Sequence, residues 1–220
     1  MKRLPRFWRK RTAGQLLPAI PASARFRLGL LVVFGLLLPA TTVFAETFTE
    51  KLVAAALERT QHFVIYNGSY RKIAYPMGDV PEHFGVCTDV VIRSYRALGI
   101  DLQQLVHEDM RAHFDLYPKN WGMQKPDSNI DHRRVPNLQR FFSRYGKKLP
   151  ISQHAKDYKP GDLVTWMVGG SRPHIGIVTD KHKPGSKRPM IVHNIGWGPK
   201  LDDMLFDYPI TGHYRYIPKL

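Results

Sequence analysis

Cys87 is the only cysteine in a chain of 220 residues. A lone cysteine cannot form an internal disulfide, which leaves a bridge to another chain, a buried bystander or a reactive thiol. Its surroundings favour the third. Gly85-Val86 leads into Cys87, and Val90, Val91, Ser94, Tyr95 and Leu98 follow at helical spacing until Gly99 stops the run. The spacing predicts a helix over 87–98 with the cysteine at its start. Unpaired N–H groups and the helix dipole favour an anion at that end and are expected to lower the thiol pKa. A thiolate nucleophile needs a partner that takes and returns its proton, most often histidine. Among ten histidines, His174 is the one that opens an apolar strand, 174–179, directly after the glycine-rich stretch Gly169-Gly170-Ser171-Arg172-Pro173. A base works better when a third group fixes its tautomer. His193 and Asn194, on the following strand, are the candidates. Adjacent strand residues face opposite ways, so only one can turn toward His174, and His193 is favoured.

The elements that would position these residues are legible from pattern. Thr47-Phe48-Thr49-Glu50 reads as a capping box opening a helix to about residue 61. The runs 63–66 and 69–75 flank Asn67-Gly68, a hairpin signal. A further helix is expected over 102–116, with Leu105, Val106, Met110 and Phe114 as its apolar stripe, and a short one over 136–145 ending at Gly146. Between them, 117–135 is polar and without period. The chain then changes character: Lys159-Pro160-Gly161-Asp162 turns into a strand over 163–168, followed by strands at 174–179, 190–194 and 212–217. Helices first and strands later predict an α+β domain on an antiparallel sheet.

The N-terminus reads differently. Residues 1–27 carry eight Lys and Arg and no acid; an apolar run, 28–40, precedes Val43-Phe44-Ala45. Basic region, short apolar region and small-x-small site make a secretory signal over 1–45, leaving one domain over 46–220. A spanning helix needs about 20 apolar residues, so no stable membrane span is expected after cleavage, and the protein is expected in the periplasm or outside the cell. Removing the eight charges takes the net charge from +15 to +7. That remainder suits a polyanionic envelope surface, or is simply a solvated basic face. No nucleic-acid motif accompanies it, so no nucleic-acid partner is expected.

The motifs resemble the NlpC superfamily of papain-like bacterial cell-wall cysteine endopeptidases. Tyr75-Pro76-Met77-Gly78, Cys87-Thr88-Asp89, Pro160-Gly161-Asp162-Leu163, His174-Ile175-Gly176-Ile177 and Val192-His193-Asn194 follow that family's order. Gly85 to Asp89 and Gly196 to Pro199 are similar to stretches of an uncharacterised family of exported bacterial proteins within that clan. The resemblance implies a papain-like domain, with Cys87 on a helix N-terminus packed on the sheet, His174 as base and His193 as third residue. Tyr75 then stands either near the oxyanion site or as a packed loop aromatic. The sequence departs from the pattern in placing Asp89 after the cysteine rather than before it, and Asp79 in place of a glycine. Asp89 complements the helix dipole and, as an anion, would raise rather than lower the thiol pKa. The 121–134 loop, with Asp131 and Arg133, is a candidate substrate-binding excursion or a solvated one. Trp197 either lines a cleft or closes the core.

The expected activity is an exported cysteine amidase or peptidase that hydrolyses amide bonds in peptidoglycan peptides without cofactor. A papain-like lipid or acyl hydrolase or transferase using the same pair is one alternative. A non-catalytic cell-wall-binding module is another. Ser69-Tyr70-Arg71-Lys72 matches Ser-x-x-Lys, but in a hairpin its two residues do not share a face, and the companion Lys-Thr-Gly is absent. His83 and Cys87 have tolerable metal spacing, but no second close pair completes a zinc site. Phosphate-loop and dinucleotide fingerprints are absent.

Overall fold

The structure is a computed structural model that describes residues 46–219; the signal segment expected over 1–45 lies outside these residues. Helix α1 spans Phe48–Arg59. The Thr47 hydroxyl accepts from the Glu50 N–H, and the Glu50 carboxylate accepts from the Thr47 N–H, so the capping box forms as its spacing predicts. Two short strands follow, β1 (Ile65–Tyr66) and β2 (Phe84–Gly85), then helices α2 (Cys87–Ala97) and α3 (Leu102–Ala112). Helix α4 (Val135–Tyr145) carries Pro136 in its first turn, where a missing N–H costs nothing. The remaining strands are β3 (Lys147–Lys148), β4 (Leu163–Val168), β5 (Arg172–His182), β6 (Pro189–His193), β7 (Lys200–Asp202) and β8 (Ile210–Arg215).

Six strands form one antiparallel sheet in the order β3-β8-β4-β5-β6-β7. The domain is therefore α+β with a wholly antiparallel main sheet. Alternation along the strands gives it two buried faces. Leu163, Ile175, Ile177, Val192 and Tyr214 pack under the helices against Leu52, Val91, Tyr95, Leu138 and Phe142. Val164, Trp166, Val178 and Ile191 face the other way, under Tyr158, Met204 and Leu205. Each large apolar side chain removed from water contributes about 1.5–3 kcal/mol. Buried polar tips find acceptors: Tyr95 donates to the Tyr216 carbonyl at 2.8 Å and Trp166 to the Leu205 carbonyl at 2.9 Å.

Asp162 fastens the turn into β4. Its carboxylate takes the Lys159 N–H at 2.9 Å and holds His213 and Arg215 of β8, at 2.8 Å and 2.6 Å for the closest pairs. Among the described residues, no helix is long and apolar enough to cross a membrane.

The hairpin expected around Asn67-Gly68 does not form. Its usual turn needs positive φ at both central residues, and neither Asn67 nor Gly68 has it. Instead β1 pairs in parallel with β2, Ile65 against Phe84 and Tyr66 against Gly85. Side chains from elsewhere hold the stretch that follows: Asn129 takes the Ile73 N–H at 2.9 Å and Asp127 takes the Tyr70 hydroxyl at 3.0 Å. The helix expected over 102–116 breaks at residue 113, and Phe114–Leu116 continues as one tighter turn.

Candidate active site

Cys87 is the first residue of α2, and the residues before it are held in place. The Tyr66–Gly85 pairing fixes the approach to the helix. Val86 is extended and donates its N–H to Asp89 at 2.7 Å, one half of a capping box. The backbone N–H groups of Ile175, Thr88 and Cys87 itself favour an anion on the sulfur. Burial is the larger effect. With the residue 4% exposed, and with Asp89 adding negative charge, the thiol is pushed up to about 12. The expected low-pKa thiolate is therefore not the resting state: in this closed site desolvation outweighs the helix terminus.

His174 lies on β5 directly before Ile175, whose N–H favours an anion on the thiol. Its Nε2 is 3.0 Å from His193 Nδ1, and the two rings meet edge to face. The strand register explains the meeting. Ile177 opposes Val192, and continuing that register sets Gly176 against His193. His174 and His193 are then diagonal neighbours on one face of the sheet. Gly176 leaves the space they share: a Cβ there would stand 2.6 Å from Ile191 Cγ2 and 3.1 Å from the His193 Cβ. Burial, with His193 beside it, lowers His174 to about 3. Burial, with Lys200 assisting and Asp202 opposing, lowers His193 to about 4. Thiol and both imidazoles are thus neutral at neutral pH. Among the described residues, no hydrogen bond joins Cys87 to His174; such bonds commonly tighten only when substrate is in place.

The other sequence candidates separate into those near this centre and those tied elsewhere. Asn194 faces away from His174, as alternation requires; it reaches the Gly85 carbonyl at 3.5 Å and accepts the Gly196 N–H at 3.1 Å, joining the post-β6 loop to β2. Asp89 is clasped by Arg133, with Nε to Oδ1 at 2.8 Å and Nη2 to Oδ2 at 2.9 Å. The Thr88 hydroxyl also donates to the Arg133 carbonyl at 3.2 Å. Arg133 therefore braces the first turn of α2 rather than facing a ligand. Asp131 is buried as well, paired with His107 at 2.9 Å, and burial raises its pKa. The loop's outward groups are Trp121, Asp127, Asn129 and Arg134, lining an open cleft of about 670 Å³.

Tyr75 is placed against α3, its hydroxyl 3.4 Å from Glu108 and its ring edge-on to His107, and not at the thiol. The tyrosine near the thiol is Tyr66. Burial and then the charges of Cys87 and Asp89 push its hydroxyl up to about 12, with Arg172 opposing. Assigning Tyr66 to a hairpin hid it; its place follows from pairing with Gly85, two residues before the cysteine. Trp197 is 92% exposed and closes no core. Asp202 was also missed. Its carboxylate lies 3.6 Å from His193 Nε2, and the one signal for it is the alternation of Lys200-Leu201-Asp202, a three-residue strand. Among the described residues, no group of three His, Cys, Asp or Glu is arranged to hold a metal ion.

Comparison with known proteins adds a family. The chain is 44% identical over 182 residues to the Uncharacterized protein YijF of Escherichia coli (strain K12), an alignment that covers 82% of this chain and 88% of that protein. Residues 53–216, which contain every residue of the site just described, match the family model described as Domain of unknown function (DUF1287), and the chain belongs to that family.

Proposed function

We propose that the protein is an exported, papain-like cysteine amidase or endopeptidase of NlpC type that cleaves amide bonds in the peptide part of peptidoglycan. The observation that carries this reading is a lone thiol at the start of α2 whose anion is favoured by the N–H of Ile175, the residue next to His174 on β5, with His174 joined to His193 at 3.0 Å. Because His193 occupies Nε2 of His174, the Nδ1 atom remains for the thiol. In the reaction, His174 Nδ1 takes the Cys87 proton as the sulfur attacks the amide carbonyl. The carbonyl oxygen gains charge beside the Cys87 N–H, an oxyanion donor. The C–N bond then breaks, the His174 proton passes to the leaving amine, and water hydrolyses the thioester to a carboxylate. A neutral resting pair does this by general-base catalysis at the moment of attack, not through a standing ion pair. Substrate must first uncover a thiol that is 4% exposed; Tyr66, 44% exposed, pairs with Gly85 two residues before it.

A second reading keeps the pair and changes the substrate to an acyl chain. One observation favours it: Phe63, Ile65, Tyr66 and Trp197 are all exposed, and Gly198 comes close to the Val64 carbonyl, which draws the Trp197 loop toward β1. The order of Cys87 before His174 supports the wall enzyme, since acyl-chain branches of that clan include permuted forms. The test is digestion of purified sacculi by the protein lacking its signal, with mass spectrometry of the released fragments. New amine and carboxyl ends are expected, and they should vanish in Cys87→Ala and His174→Ala. Intact sacculi, or products undiminished in Cys87→Ala, would overturn the reading. Release of fatty acid from vesicles by the same preparation would replace it with the second.

A further inference from the structure

We infer that Asp202 is a positioning residue that holds the proton of His193 on Nε2, so that His193 Nδ1 can accept from His174. The inference rests on reading Cys87 and His174 as the reacting pair. It starts from an orphan: His193 Nε2 is buried and has no hydrogen-bond partner among the described residues, while the other ring nitrogen is bonded to His174. A neutral imidazole carries one proton and one lone pair, so the two ends of His193 cannot be chosen independently. If the proton is on Nδ1, it donates to His174 Nε2 and forces the His174 proton onto Nδ1, the atom that must accept from the thiol. If the proton is on Nε2, His193 Nδ1 accepts from His174 Nε2–H and leaves His174 Nδ1 free to act as base. Something beyond His193 must favour the second arrangement.

The sheet supplies it. On β7, Asp202 opposes Ile191 and Lys200 opposes His193. Alternation puts Ile191 and His193 on one face, so Asp202 is the diagonal neighbour of His193 on that face. Asp202 Oδ2 lies 3.6 Å from His193 Nε2. That span is longer than a direct N–H···O bond; it closes by rotation of the carboxylate or is bridged by one water. The charged and titratable groups around His193 are His174 on β5 and Lys200 and Asp202 on β7. Lys200 Nζ holds the same Oδ2 at 2.5 Å, so it competes with His193 for this oxygen and repels any positive charge on the ring. Asp202 is the negative group in that set. When His174 takes up the thiol proton, a chain of His174, His193 and Asp202 leads the new charge toward a carboxylate that is itself partly in water.

The readout that a merely structural role would not move is the tautomer of His193, measured by long-range ¹H–¹⁵N correlation on the protein lacking its signal. The expected wild-type state is Nε2–H with Nδ1 unprotonated. Asp202→Ala should shift it toward Nδ1–H, Asp202→Glu should restore it, and Lys200→Met should strengthen it by releasing Oδ2. If sacculi are cleaved, Asp202→Ala should lower kcat by about tenfold or more with little change in KM, as expected when an orienting group is lost and the base remains. A wild-type His193 protonated on Nδ1, or a tautomer unchanged in both Asp202→Ala and Lys200→Met, overturns the inference. The expected tautomer shifts with no cleavage by the wild type would sustain the Asp202 role and refute the substrate reading instead.

Discussion

Replacing Arg133 with methionine tests whether the first turn of α2 is braced as described. The Asp89 carboxylate receives two N–H groups from Arg133, at 2.8 and 2.9 Å, and one from Val86, at 2.7 Å. Both partners' side chains are almost wholly buried, 3% exposed for Asp89 and 2% for Arg133. Methionine fills much of the volume but leaves a buried carboxylate with a single backbone donor. Removing one member of a buried pair costs about 3–5 kcal/mol, most of it the uncompensated charge. At about 2–4 °C per kcal/mol for a domain of this size, Tm should fall by roughly 6–20 °C. The double change Asp89→Asn with Arg133→Met removes the charge, keeps an acceptor for the Val86 N–H and should recover more than half of the loss. Thermal and urea unfolding followed by circular dichroism give all four corners of the cycle. A fall in Tm below about 3 °C for Arg133→Met, or a double variant no more stable than the single one, would refute the account of the pair as a buried brace.

Two further outcomes follow from the same geometry. His174, His193 and His132 are held neutral by burial, at about 3, about 4 and about 3, against about 6.5 in the unfolded chain. The unfolded state therefore binds more protons than the folded one below pH 6.5, and stability falls on acidification, each histidine adding about 1.4 kcal/mol per pH unit until its folded pKa is reached. Urea midpoints at pH 7.5 and pH 5 check this above the carboxylate range; equal midpoints would contradict it. Gly176→Ala puts a Cβ 2.6 Å from Ile191 Cγ2 and 2.9 Å from the Val192 carbonyl, so β5 and β6 must part. Overpacking of this kind costs about 1–3 kcal/mol. Because the parting separates His174 from His193, cleavage of sacculi should be lost while a cooperative melt persists; an active variant would show that the 3.0 Å contact does not matter.

What could be read from the chain alone was local or periodic. The capping box at Thr47 and Glu50, the stop at Gly99 and the turn before Leu163 each depend on residues within four positions of one another, and all are present. The opposite facing of His193 and Asn194 needs only the two-residue period of a strand, and His193 is the one that meets His174. The tertiary structure decided the rest because the deciding partners are distant in sequence. Arg133 reaches Asp89 across 44 residues and turns a candidate ligand contact into a brace. Asn129, 56 residues from Ile73, holds a stretch whose own composition reads as a hairpin strand. With that stretch out of the sheet, β1 is free to pair with β2, and Tyr66 rather than Tyr75 comes near the thiol. The state of the thiol was equally out of reach. A helix N-terminus is a local feature and argues for an anion, but desolvation depends on everything packed around the sulfur, and only the assembled core makes it the larger effect.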